Sequence, residues 1–265
     1  MSDRLRRLVW LAYVWAFFVF VFAPIAIVVV VAFQEQGYVA FPIRGYSLRW
    51  FEKVFAYKPF IDGLVTSFEV AALASVGALL LGTPAALALA RHESRTADAA
   101  VTFLLSPLAV PLIVVGFAML FYLSRFGLGT TFLGLLIAHT VVSIPYVVRT
   151  TIGVYRAIGR EIEEAAEVLG ATRRQVLWYV TLPAIRPGLI GGALLSFLIS
   201  IDNLPVSYFF SSVDTVTLPV VMLSYMESSF DPSIAALSVV QLLIAFGGLL
   251  LVDRVYGIRS LSRTI

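Results

Sequence analysis

"EEAAEVLGATRRQVLWYVTLP", residues 163–183, is a charged, helix-forming stretch in a chain that is otherwise mostly apolar. Glu161, Glu163, Glu164 and Glu167 load the front of a short helix, where negative side chains meet the positive end of the aligned peptide dipoles. Ile162, Ala165, Ala166 and Leu169 recur at the three-to-four spacing of one helical face. Gly170 falls where a C-cap glycine is expected. Thr172-Arg173-Arg174-Gln175 then has the form of a capping box, opening a second helix whose Val176, Leu177 and Val180 share a face. Leu182-Pro183 is expected to end that helix. The product is a helix, a glycine turn and a second helix: an elbow with small alanines, one apolar face and a charged rim.

The surroundings of the elbow fix the class of protein. Of 265 residues, 60% are hydrophobic and 13% charged, which is outside the balance of a soluble domain. Uncharged runs lie at 8–33, 70–90, 99–124, 126–148, 187–201 and 232–252. All but the fifth reach the roughly 20 residues that a helix needs to cross about 30 Å of hydrocarbon. The fifth meets Asp202 but continues apolar through Val213. The chain therefore reads as an all-α membrane protein, one domain over 1–265, with six spans near 9–33, 63–90, 100–123, 130–152, 187–211 and 233–255. The elbow occupies the loop 156–185. The first run is longer than the apolar core of a leader peptide and is expected to be a retained helix.

Basic residues sort to the cytoplasmic side. With the N-terminus inside, only Arg44, Arg49, Lys53, Lys58 and Arg125 of the 19 Lys and Arg fall outside. Both termini and the elbow are thus expected in the cytoplasm. The net charge of +3 follows from this sorting and does not point to nucleic acid. There is no cysteine, and the two histidines, His92 and His139, are far apart, so a metal site is unsupported. No Gly-x-x-x-x-Gly-Lys-[Ser/Thr] phosphate loop occurs, so energy from ATP has to arrive through another chain.

Two further regions are candidates. In the outer segment 34–59, "YSLRWFEKVFAY" (46–57) interleaves Trp50, Phe51, Phe55 and Tyr57 with Arg49, Glu52 and Lys53. It can lie in the headgroup layer with its aromatics down, or form a docking surface for an external partner. In the fifth span, Asp202 is an acid at membrane depth, and such acids mark functional sites by default. With Ser200, Asn203 and Ser207 it can form a polar waypoint for an amine-bearing solute; pairing with a neighbouring helix is the plainer alternative. His139 reads as a hydrogen-bonded packing residue before a proton relay. Gly77 and Gly82, among Ala74, Ala78, Ala85 and Ala86, suggest close helix packing in the second span.

At this point the elbow resembles the EAA loop of bacterial ABC importer permeases. Glu164, Ala165, Ala166, Gly170, Leu182 and Pro183 match its spacing, and Val180 stands where an isoleucine is usual. The six-span layout, "RWFEKVF" (49–55) and "LSFLISIDNLPVSYFFSSVDTVTLPV" (195–220) are similar to the second permease subunit of spermidine/putrescine-type importers over nearly the whole chain.

The resemblance implies a type I permease architecture in a bacterial inner membrane, with the elbow as the coupling helix. It also implies that Glu163, Glu164, Ala165, Ala166, Leu169 and Gly170 transmit work from two cytoplasmic ABC ATPase subunits, which bind the ATP and magnesium. By the same resemblance a second permease subunit, a related paralogue, and an external solute-binding protein complete the assembly. Asp202-Asn203 replaces the two acids often seen in polyamine carriers of this family, which weakens the case for a polycation. Amino-acid-like compounds, phosphonates, thiamine and iron follow polyamines as solutes. An ion-coupled secondary transporter would need an internal repeat or a midplane cluster of ionisable groups, for which only Asp202 and His139 offer themselves.

Overall fold

The structure is a computed structural model that describes residues 3–39, 42–92, 94–213 and 215–256. The described residues are helical apart from turns and a single isolated bridge between Gln34 and Tyr46. They divide into two compact units, Asp62–Val221 and the pair of segments Met1–Ile61 and Met222–Ile265.

In the second of these units, α1 (Asp3–Ala32) packs along α12 (Ser233–Tyr256), and the short α2 (Arg49–Ala56) lies against α12. Apolar side chains cover α1 on every side, and most of them, Trp10, Phe17 and Phe20 among them, are exposed. A helix apolar all round and exposed in its own chain belongs in lipid or against another subunit. In α2 the aromatics divide. Trp50 and Val54 are buried, Phe51 packs against Phe33 at 4.9 Å between ring centroids, and Phe55 stays exposed. Two of the four aromatics expected to face the headgroups are thus turned into the protein.

The unit Asp62–Val221 is built on α6 (Phe132–Ala157), the most deeply buried long helix. α3 (Lys58–Ala90) packs on it through Gly77 and Gly82. A Cβ on these glycines would stand 3.0 Å from Thr140 Cγ2 and 3.1 Å from Val147 Cγ1. α9 (Leu182–Ile201) also lies against α6, brought close by Gly188 and Gly192, one turn apart; a Cβ on Gly192 would sit 2.9 Å from the Val147 Cα. This small-xxx-small stripe is the usual way membrane helices approach one another. Val70, Leu135, Ala138, Val142, Val206 and Phe210 form one buried cluster around α6, and Ala86, Val148, Ile152, Tyr155 and Ile185 a second.

Three expectations about the spans need correction. The third, expected at 100–123 as one crossing, is two limbs: α4 (Arg95–Leu105), extended by a 3₁₀ turn Ser106–Leu108, and α5 (Leu112–Ser124), with their axes bent by 100°. Pro107 sits in the 3₁₀ turn and Pro111 caps α5. Proline has no backbone N–H to donate; Ser106 before Pro107 is still helical at φ −56°, ψ −32°, and the run breaks at Pro111, which is extended at φ −53°, ψ 127°.

The fifth span, expected at 187–211, instead runs unbroken from Arg173 to Ile201. It stops at Asp202, and α10 (Leu204–Phe210) begins afresh after Asn203, whose side-chain oxygen accepts the Val206 N–H at 3.1 Å. Asn at the N-cap with Pro205 in the first turn is a helix start, so hydropathy alone misreads it as continuation.

Finally, Leu182-Pro183 does not end the elbow's second helix. α8 (Arg173–Val176) passes through a π-turn, Leu177–Thr181, directly into α9. The Leu182 N–H bonds the Leu177 carbonyl five residues back, and this wider turn accommodates Pro183, which has no N–H and would crowd the carbonyl four residues before it.

Candidate functional site

The elbow is assembled by local hydrogen bonds that its sequence specifies. α7 (Glu161–Val168) has Glu161, Glu163 and Glu164 in its first turn. At its far end Ala171 N–H bonds the Ala166 carbonyl at 3.0 Å and Gly170 N–H the Glu167 carbonyl at 2.9 Å. Together these form a Schellman closure, with Gly170 at φ +89°. The turn depends on that left-handed backbone and not on lack of room, since a Cβ on Gly170 would meet nothing within 4 Å. Next, Thr172 and Gln175 close a capping box: the Gln175 side-chain oxygen accepts the Thr172 N–H at 2.8 Å, and the Thr172 hydroxyl accepts the Gln175 N–H at 3.4 Å.

The six residues expected at the joint do not share one environment. Glu164, Ala165, Leu169 and Gly170 are exposed, Leu169 at 88%, and Ala166 is half-buried. Ile162 and Val168 are exposed as well, so the apolar part of α7 has no cover within the chain. Glu163 points the other way. Its carboxylate accepts the Tyr155 hydroxyl at 3.0 Å and the Thr181 hydroxyl at 2.5 Å, and pairs with Arg91 at 3.2 Å. The Arg91 guanidinium also lies over the Tyr155 ring, 4.1 Å from its centroid. Glu163 therefore ties α7 to the end of α3, to α6 and to the π-turn that leads into α9. Nothing in the sequence marks Arg91, Tyr155 or Thr181 as its partners, because they lie up to 72 positions away.

Deeper in the unit, the four candidates for a solute path are also divided. Ser200, Asn203 and Ser207 are buried, whereas Asp202 is exposed. His139 on α6 joins two of them, with Nδ1 2.8 Å from the Ser200 hydroxyl and Nε2 3.0 Å from that of Ser207. A neutral imidazole has one donor and one acceptor nitrogen, so it can satisfy both serines. His139 thus pins α9 and α10 to α6 across the break that Asp202 and Asn203 create. Sequence reasoning gave His139 only a packing role, and its position as the centre of this staple was missed. Its spacing from Ser200 and Ser207 carries no local signal. Among the described residues, no group of three His, Asp or Glu side chains is placed to hold a metal ion.

An exposed, capped elbow tied into an apolar helical unit can be compared with known proteins. Residues 78–260 match the family described as "Binding-protein-dependent transport system inner membrane component". The chain belongs to this family. Among its relatives, a spermidine/putrescine transport system permease protein of Haemophilus influenzae is 29% identical, aligned over 88% of this chain and 91% of its own length. A molybdenum transport system permease protein of Mycobacterium bovis is 34% identical over 69% of this chain and 74% of its own. Among solved structures, a bacterial ABC transporter involved in the import of the acidic polysaccharide alginate matches in fold with a TM-score of 0.71. That match is 19% identical and covers 97% of this chain and 98% of the other. The all-α membrane fold and the role of ABC importer permease read from the sequence thus hold.

Proposed function

We propose that this permease forms half of a polyamine path and that α7 is the lever through which two cytoplasmic ATPase subunits drive it. The observation that carries this reading is the two-sidedness of α7. Glu164, Ala165, Ala166, Leu169 and Gly170 offer an uncovered surface of small and apolar side chains, which lets a partner approach closely. On the opposite side Glu163 fixes α7 to three helical segments. A load received on the open side then passes to the spans as rigid-body motion. Glu163 acts here as the fastening of the lever and not as a contact with the ATPase.

The partners in this reading are a second, related permease subunit, two ATPases that bind ATP and magnesium, and an external binding protein. The elbow and the N-terminus face the cytoplasm; the C-terminal arginines Arg259 and Arg263, counted with them, lie outside the described residues. The polyamine assignment rests on the spermidine/putrescine relative, which aligns over far more of the chain than the molybdenum relative does. It rests also on Asp202, an exposed carboxylate at the break between α9 and α10 that suits an ammonium group. Ser200, Asn203 and Ser207 shape that break.

The test is uptake of labelled spermidine, putrescine and molybdate into vesicles carrying the complete transporter. ATP-dependent polyamine uptake is expected, with Asp202→Asn lowering it by roughly tenfold, the worth of one charge-assisted contact. Molybdate uptake without polyamine uptake would move the solute to the oxyanion class. A cysteine at Ala165 is expected to crosslink to the ATPase, and transport by this chain alone would overturn the lever.

A further inference from the structure

A cleft of about 660 Å³ opens where α3 ends, α4 begins and α6 ends. Its described lining holds four arginines, Arg91, Arg95, Arg156 and Arg160, against one acid, Asp98. Three of the arginines serve the fold, Arg91 by its pair with Glu163 at 3.2 Å. Arg156 Nε donates to the Ala90 carbonyl at 3.2 Å and Arg160 to the Arg91 carbonyl at 2.6 Å, satisfying carbonyls that the end of α3 leaves open. These bonds use one nitrogen of each guanidinium and leave its other donors for the cleft. Arg95 makes no hydrogen bond among the described residues, and the Arg91 Nε is buried without a partner.

The amino end of α4 opens on the same cleft. Ser94 caps it by accepting the Ala97 N–H at 3.2 Å, and Ser94 and Arg95 are both in the lining. The positive end of an 11-residue helix is added to the arginine cluster. Guanidinium forks recognise phosphate by paired, parallel hydrogen bonds, which a concave group of them can supply from several sides. Positive-inside sorting alone places arginines near helix ends; it does not gather them around a cavity with donors left over from the bonds that fix them.

We infer that the cleft bounded by Arg91, Arg95, Arg156 and Arg160 binds a phosphate-bearing anion, either the headgroup of an anionic lipid or a free phosphate. Basic pockets between membrane helices take lipid headgroups in this way. Arg91 also holds Glu163, so an anion in the cleft and the lever of α7 share one side chain.

The experiment uses the full chain in a neutral detergent. Native mass spectrometry reads binding of phosphatidylglycerol and of phosphatidylcholine, and calorimetry reads inorganic phosphate. The comparison is with Arg95→Gln/Arg156→Gln, and Arg125→Gln serves as a control outside the cleft. Phosphatidylglycerol is expected to bind the double variant at least about tenfold more weakly than the wild type, with phosphatidylcholine and the control unchanged. Inorganic phosphate binding that falls in the same way, without lipid binding, assigns the site to a soluble anion. If the double variant does not stay monodisperse, Arg95→Gln alone makes the comparison, because Arg95 makes no hydrogen bond or ion pair among the described residues. Equal binding of both probes by wild type and variant overturns the inference, as does capture of an ATPase by the cleft with both probes silent.

Discussion

Two helix breaks in this permease, one at Gly170 and one at Asp202-Asn203, are built from similar local parts and behave as opposites. At Gly170 the chain turns in the open, closed by a Schellman pair before it and a capping box after it, with exposed residues all around. At Asn203 the chain also restarts from a side-chain cap, but Asn203 itself is buried beside the exposed Asp202, and His139 holds both sides of the break to α6. The first turn depends on backbone geometry and one carboxylate, the second on a desolvated network. The contrast predicts where each will fail.

The largest effect is expected at the buried break. His139→Ala removes the partner of two buried hydroxyls and leaves a cavity, costing roughly 2–4 kcal/mol in thermal unfolding in detergent. His139→Gln, which keeps donors and acceptors, should recover part of the loss; equal damage from both would assign His139 to volume alone.

At the exposed elbow, Glu163→Gln leaves the half-buried Arg91 without its charge partner and should cost roughly 1–3 kcal/mol of local stability. Hydrogen exchange is the suitable readout, with faster exchange over 161–170 and little change in α6. Uniform change across both would mean that the lever is not a separate unit.

A smaller loss is expected at Gly170. Because a Cβ there has room, Gly170→Val should cost about 1–2 kcal/mol through its left-handed φ alone. Gly170→Asn should cost less, since asparagine tolerates that region. The ratio of solute moved to ATP hydrolysed should fall in the same order, and equal ratios would remove the turn from the transmission path.

The smallest effect lies in the other unit, at the pair Lys53–Asp231, 2.5 Å apart and partly exposed. Partial burial alone would raise the Asp231 carboxyl. Hydrogen bonds from Lys53, Ser233 and Tyr225 outweigh it and hold the group below its ordinary 3.8. The hydrogen bond to Asp231 raises Lys53 above 10.5. A depressed carboxyl stabilises above its unfolded value and loses that contribution as pH falls through the folded one; the raised amine loses its share only as pH rises past 10.5. The stability of the wild type relative to Asp231→Asn, read from thermal melts across pH, should therefore be flat near neutrality and shrink below about pH 4 and above 10.5, by no more than roughly 1 kcal/mol.

The elbow was legible because its signals are local. Glu163 to Glu167, Gly170 and Thr172 with Gln175 each act within five residues, in a polar segment that stands out from a mostly apolar chain. Pro107, Pro111, Asn203 and Pro205 are equally local signals, yet they lie inside apolar runs, where hydropathy reads as one crossing what the chain divides in two. Gly188 and Gly192 carry a plain small-xxx-small spacing, and their role as a packing face could have been read from sequence. The partners of Glu163 and of His139 could not, because nothing local reports which helix lies across from another.

The π-turn at Leu177–Thr181 fits one residue more into a turn than an α-helix holds. An α-helix advances about 100° per residue, so this extra residue offsets the angular phase of everything after it by that amount. Val176, Thr181, Ile185, Gly188 and Gly192 are all buried, so the extra residue between Val176 and Thr181 is what keeps the buried side of the elbow's second helix continuous with the side of α9 that meets α6.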